Sequence, residues 1–150
     1  MWVDEQVVPD QGVVVLASAS AFVLGVVSSS VHVAWAGMAG GRLGVGNDPR
    51  YNQTRCFETF PFPFPSADTG LTPALSARIA SLAEDIDAHR KRVVSAGSGL
   101  TLTGLYNVLE ALREGRVLTA KEKVIHDTGM VAVLQSLHDE LDGCVLAAYG

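Results

Sequence analysis

Phe60-Pro61-Phe62-Pro63-Phe64-Pro65 sets the first limit on the fold. Every second residue is a proline without an N–H, so the run can join neither a helix nor a central strand. It is expected to be an extended strap lying across the surface. Its phenylalanines, with Phe57, then staple it to the core; stacking of the same rings on nucleic-acid bases is the competing reading. The strap also divides the chain. Residues before it carry strand, helix and loop signals, whereas residues after it carry helix signals alone. The expected class is α+β. A small mixed α/β piece (strand, helix and arginine-rich loop) occupies 1–65, a linker 66–71, and a mainly helical piece 72–150.

In the first piece, Gly12 to Ala17 is a continuous β-branched run and reads as a strand buried on both faces. Ser18 or Ser20 is a helix N-cap. From Ala21 to Met38, apolar residues at Phe22, Val23, Val26, Val27, Val31, Ala34, Trp35 and Met38 follow helical spacing. The abundance of valine makes a strand the competitor there, and Gly40-Gly41 ends the element. In the second piece, Thr72-Pro73 opens a helix through Leu75, Ile79, Leu82, Ile86 and Val93, stopped by Gly97 and Gly99. A shorter helix runs from about Thr103 to Glu114. The capping box Thr119-Ala-Lys-Glu122 starts a last helix carrying Val124, Val131, Leu134, Leu137, Leu141 and Val145.

Between the two pieces, Gly41 to Phe57 concentrates unusual chemistry. Arg42, Arg50 and Arg55 stand beside the amides of Asn47, Asn52 and Gln53, with Asp48 and Tyr51, in a stretch too rich in Gly, Asn and Pro for a helix. Guanidinium forks suit phosphates, and carboxamides suit purine edges. The chain as a whole has a net charge of −5, which disfavours a freestanding nucleic-acid binder. Residues 42–55, however, hold three arginines against one aspartate, while residues 57–150 hold eight basic against twelve acidic side chains. The positive charge is local, as a contact loop on an acidic body requires. A solvated loop whose arginines hold neighbouring acids is the equal alternative.

With 48% apolar and 18% charged residues and a mean hydropathy of +0.26, the chain is globular at the apolar end of its class. Its longest apolar run, Ala21–Val27, is broken by Ser28-Ser29-Ser30. That is too short for a bilayer, which takes about 20 apolar residues, and no basic region precedes it as in a signal peptide. Cys56 and Cys144 lack CxxC spacing and point to a reducing, cytoplasmic setting without a disulfide framework.

Other chemistry-bearing residues read as structural. His32 and Trp35 share a helix face. Without a nucleophile or metal partner at a definable spacing, His32 is expected to be buried against a serine or a backbone group. His126 and His138 are too far apart on one helix to ligate a metal together, and are expected to be solvated. Cys56 beside Phe57 reads as packing rather than as a nucleophile. Gly41 to Gly46 is followed by no Gly-Lys-Ser/Thr, so it is not a phosphate-binding P-loop. Phe60 and Phe62 join His32 and Trp35 as the structural set. No catalytic and no metal-binding residue is expected.

Val26-Val-Ser-Ser-Ser-Val-His-Val-Ala-Trp35, Gly41-Arg42-Leu43, Arg50-Tyr51 and Phe60-Pro61-Phe62-Pro63 together resemble a known pattern. It is the C-terminal target-recognition region of adenine-specific DNA methyltransferases of single-chain type II restriction–modification systems. Residues 102–110, 137–142 and 147–150 are similar to the helical tail of the same family. The resemblance implies a DNA-facing loop from Arg42 to Arg55. Arg42 and Arg50 would act as scaffold or backbone contacts, and Gly44 to Asp48 would be the interval that varies with the target. It further implies a double-stranded DNA partner and an upstream methyltransferase domain using S-adenosylmethionine. The glycine-rich cofactor loop and the Asn-Pro-Pro-Tyr/Phe motif that grips a flipped adenine do not occur between Met1 and Gly150. The polypeptide is therefore expected to be the distal, non-catalytic end of a larger enzyme, binding no cofactor itself. The rival expectation is an interaction module that docks another domain or subunit through residues 72–150.

Overall fold

A computed structural model of the chain describes residues 1–4, 6, 8, 13–45, 48–66, 69–96 and 99–150. Its elements are helices α1 (Ala21–Ser28) and α2 (Ser30–Ala39), strands β1 (Gly41–Leu43) and β2 (Asp48–Arg50), and a single π-helical turn (Gln53–Phe57). Helices α3 (Pro73–Ser95), α4 (Leu102–Arg113), α5 (Ala120–Thr128) and α6 (Val131–Tyr149) follow. The class is mixed α+β and mostly helical. The chain divides into two compact units, Met1–Ala83 with Leu141–Gly150, and Glu84–Glu140. No single helix among the described residues is long and apolar enough to cross a membrane.

In the first unit, the expected strand at Gly12–Ala17 is corrected. Val13–Ala17 forms no strand, and Gly12 lies outside the described residues. The β-branched run finds no partner strand among the described residues, and its valines stay exposed. The expected helix from Ala21 to Met38 is two helices, bent by 63°. The break is at Ser29. Its hydroxyl donates to the Val26 carbonyl at 2.7 Å and accepts from the His32 N–H, so one side chain ends α1 and caps α2. Of the two serines proposed as the first cap, Ser20 holds the position. Carboxylate Asp142 of α6, 112 residues away in sequence, accepts the Ser30 N–H at 2.7 Å, at the positive end of α2. Gly25 lets α1 approach α3, since a Cβ there would lie 2.7 Å from Ile79 Cγ2 and 2.9 Å from the Ile79 carbonyl oxygen.

The Phe-Pro strap forms neither helix nor strand. It does not simply cross the surface, however. Phe60 and Pro63 are buried, and of its three phenylalanines only Phe64 is exposed. The Tyr149 hydroxyl donates to the Pro61 carbonyl at 2.9 Å and fastens the strap to the end of α6.

In the second unit, Ile86, Leu105, Val108, Val131 and Leu134 are fully or almost fully buried. The expected last helix is broken into α5 and α6 at Gly129-Met130. Met130 takes φ 47°, a left-handed conformation that ends a helix. Gly129 is required by close approach, because a Cβ would lie 2.7 Å from the Ile125 backbone oxygen, which cannot rotate away. The α5 capping box forms as expected between Thr119 and Glu122. With Arg116 and Thr119 donating to it, the Glu122 carboxyl is held down at about 2. His138 is buried rather than solvated. Arg90 donates to the Tyr106 hydroxyl oxygen, and the Tyr106 hydroxyl is 2.7 Å from His138 Nε2. The Tyr106 hydroxyl is thus shared between the Arg90 guanidinium and the His138 ring.

Candidate nucleic-acid interface

The segment read as an irregular loop is a hairpin followed by a π-turn. Strands β1 and β2 pair antiparallel, with Gly41 opposite Arg50, Arg42 opposite Pro49 and Leu43 opposite Asp48. Gly44 supplies the positive φ of 79° at which the chain reverses. Pro49 is tolerated because each strand of a two-stranded ribbon is an edge. Residues directly opposite share a face and successive residues alternate. Arg50 therefore shares one face with Leu43 and Asp48, and Arg42 occupies the other with Pro49.

Arg42, Asp48, Arg50 and Arg55 are all exposed. Among the described residues no carboxylate pairs with Arg50 or Arg55, although Asp48 lies on the same strand face as Arg50. Three other candidates have polar atoms in use within the fold. Asn52 caps the π-turn, its amide oxygen accepting from Thr54 N at 3.1 Å and Thr54 Oγ1 at 2.7 Å. Gln53 donates weakly to Glu58 at 3.4 Å. Tyr51 keeps an exposed ring, but its hydroxyl lies 2.9 Å from His32 Nε2. Asn47 lies outside the described residues.

Behind the hairpin sits an aromatic cluster. His32 meets Phe60 edge-on with centroids 4.5 Å apart, Trp35 meets Phe60 at 5.9 Å, and Phe62 meets Phe60 at 5.0 Å. His32 is bonded to Tyr51, not to the serine or backbone group expected from sequence. Burial lowers the His32 pKa, which favours the neutral ring. Burial, and then the neighbouring Cys56, raise that of Tyr51, so its hydroxyl stays protonated at neutral pH. His32 Nδ1 and Trp35 Nε1 are buried without a hydrogen-bond partner among the described residues. A pocket of about 280 Å³ opens beside the His32–Tyr51 pair, lined also by Val14, Leu16 and Val27.

Cys56 and Gly40, which sequence reading left out of the site, join the π-turn to α2. Cys56 is fully buried, its thiol 3.8 Å from the Ala36 carbonyl oxygen and accepting from Asn52 N at 3.3 Å. A Cβ on Gly40 would come within 2.5 Å of the Ala36 oxygen, 2.8 Å of the Arg50 oxygen and 3.2 Å of Cys56 Sγ. The signal for Gly40 was present as a glycine at a helix end. The close approach behind it was not. Among the described residues no three His, Cys, Asp or Glu side chains gather as a metal site would require.

Residues 1–64 match the family model of the MmeI target recognition domain. By that match, this segment is similar to a target-recognition region of the restriction–modification kind. Residues 65–150 lie outside the matched range. The matched range holds α1, α2, the hairpin, the π-turn and most of the strap, the elements that present the exposed arginines. No curated protein and no solved structure matches the chain.

Proposed function

We propose that the chain recognises double-stranded DNA through residues 41–57, as the target-recognition part of an adenine-specific restriction–modification methyltransferase. The carrying observation is the pair Arg50 and Arg55, exposed and unneutralised by any described carboxylate, within a segment matched to a target-recognition family. The major groove is about 12 Å wide and admits a two-stranded ribbon. Arg42, Arg50 and Arg55 would contact phosphates. Asp48 and Asn47 would read base edges, with Gln53 and the amide nitrogen of Asn52 beside them. Methyl transfer and S-adenosylmethionine belong, in this reading, to an upstream domain of the parent enzyme, and the chain itself contributes binding without catalysis.

Titration of the full chain with duplex DNA across a range of salt concentrations tests this reading. Each neutralised phosphate contributes about 0.9 to the slope of log K against log salt. Arg50→Ala and Arg55→Ala are each expected to lower that slope by about one. Unchanged slopes in both variants would remove the hairpin and π-turn from the interface.

A further inference from the structure

We propose that His32 is a positioning residue for Arg50, acting through the hydroxyl of Tyr51. The proposal rests on the DNA-contact reading above and assigns Tyr51 a different task from direct contact. His32 is 3% exposed and its ring is wedged edge-on against Phe60, so its direction is set by the core. Its Nε2 meets the Tyr51 hydroxyl at 2.9 Å. Tyr51 immediately follows Arg50, the last residue of β2, and immediately precedes Asn52, the cap of the π-turn.

The hairpin needs such an anchor. A two-stranded ribbon is marginal on its own in water, and this one has three residues in each strand. Its arginines are exposed, so their own burial contributes nothing to fixing it. The His32–Tyr51 bond ties the end of β2 to α2 at the residue next to the guanidinium that must be aimed.

A second observation makes a purely space-filling role for His32 a poor account. Among the described residues its buried Nδ1 has no partner. Leaving a buried polar atom unpaired costs on the order of 1–3 kcal/mol, a cost that an apolar side chain would not carry. The polar ring is explained by what its other nitrogen holds.

The test is a double-mutant cycle on duplex binding by the full chain at low salt. Tyr51→Phe keeps the ring and removes only the hydroxyl. It is expected to weaken binding about fivefold, the equivalent of one hydrogen bond. In the Arg50→Ala background the same change should cost nothing further, because the group it aims is gone. Equal losses in both backgrounds would overturn the positioning role while leaving the DNA reading intact. An Arg50→Ala variant that binds as well as the parent chain would instead count against Arg50 as a contact. A DNA-free measurement then decides on the anchor. Tyr51→Phe is expected to speed amide exchange in β1 and β2 about fivefold relative to α4, and unaltered exchange in the hairpin would overturn it.

Discussion

Among single residues, the buried histidines carry the clearest consequences. His89 is 1% exposed, with Nε2 at 3.0 Å from the Gly129 carbonyl oxygen and Nδ1 at 3.3 Å from Arg92 Nη2. A carbonyl requires a donor and a guanidinium requires an acceptor, so the ring is neutral, with its hydrogen on Nε2. Burial, the largest effect, lowers its pKa. The bond to Gly129 opposes the shift, and Arg92 adds to it. His32 is shifted in the same direction by burial. A pKa lowered on folding means that the unfolded chain binds more protons in the window below the ordinary value of about 6.5. Stability from both rings is full above that value and declines as pH falls through the window towards the folded pKa. Urea unfolding midpoints should therefore fall on acidification from about pH 7 to about pH 5. His89→Gln, which retains a donor for Gly129, should lessen the dependence. Midpoints that rise on acidification would contradict the assigned protonation state.

The elements owe their boundaries to side chains that sequence periodicity does not weigh. Apolar spacing read Ala21 to Met38 as one helix because valines and aromatics recur every three or four residues through the bend. The hydroxyl of Ser29 breaks it, and nothing in the hydrophobic pattern marks that serine apart from Ser28 or Ser30. The α5–α6 break was equally hidden, because Val124, Val131 and Leu134 keep helical phase across Gly129-Met130. Capping signals with a local mechanism were legible. Thr72-Pro73 and Thr119–Glu122 both open helices where their chemistry demands. The close contact of α1 with α3 gives an expectation at this scale. In Gly25→Ala the new methyl would meet the backbone oxygen of Ile79, which cannot rotate away as a side chain can. A loss of about 1–3 kcal/mol is expected from overpacking. Chemical unfolding measures it, and an unchanged or higher stability would show that α1 does not lie this close to α3.

For the molecule as a whole, two long-range contacts organise the first unit beyond what any window of sequence displays. Ser30 and Asp142 are 112 residues apart, and Pro61 and Tyr149 are 88 apart. Each ties the N-terminal elements to the C-terminal half of α6. The residue types of the candidate interface were legible in the sequence because charge, amides and glycine coincide in one stretch. Their arrangement was not. Whether a candidate side chain faces outward or is used within the fold depends on partners such as His32, Thr54 and Glu58, which no spacing rule selects. The most direct measurement of the proposed interface is an ¹⁵N NMR titration of the full chain with duplex DNA. Amide perturbations are expected to concentrate in residues 41–57, with α5 unaffected. Perturbations centred on α4 or α5, with residues 41–57 unmoved at saturating DNA, would contradict DNA recognition by the arginine hairpin.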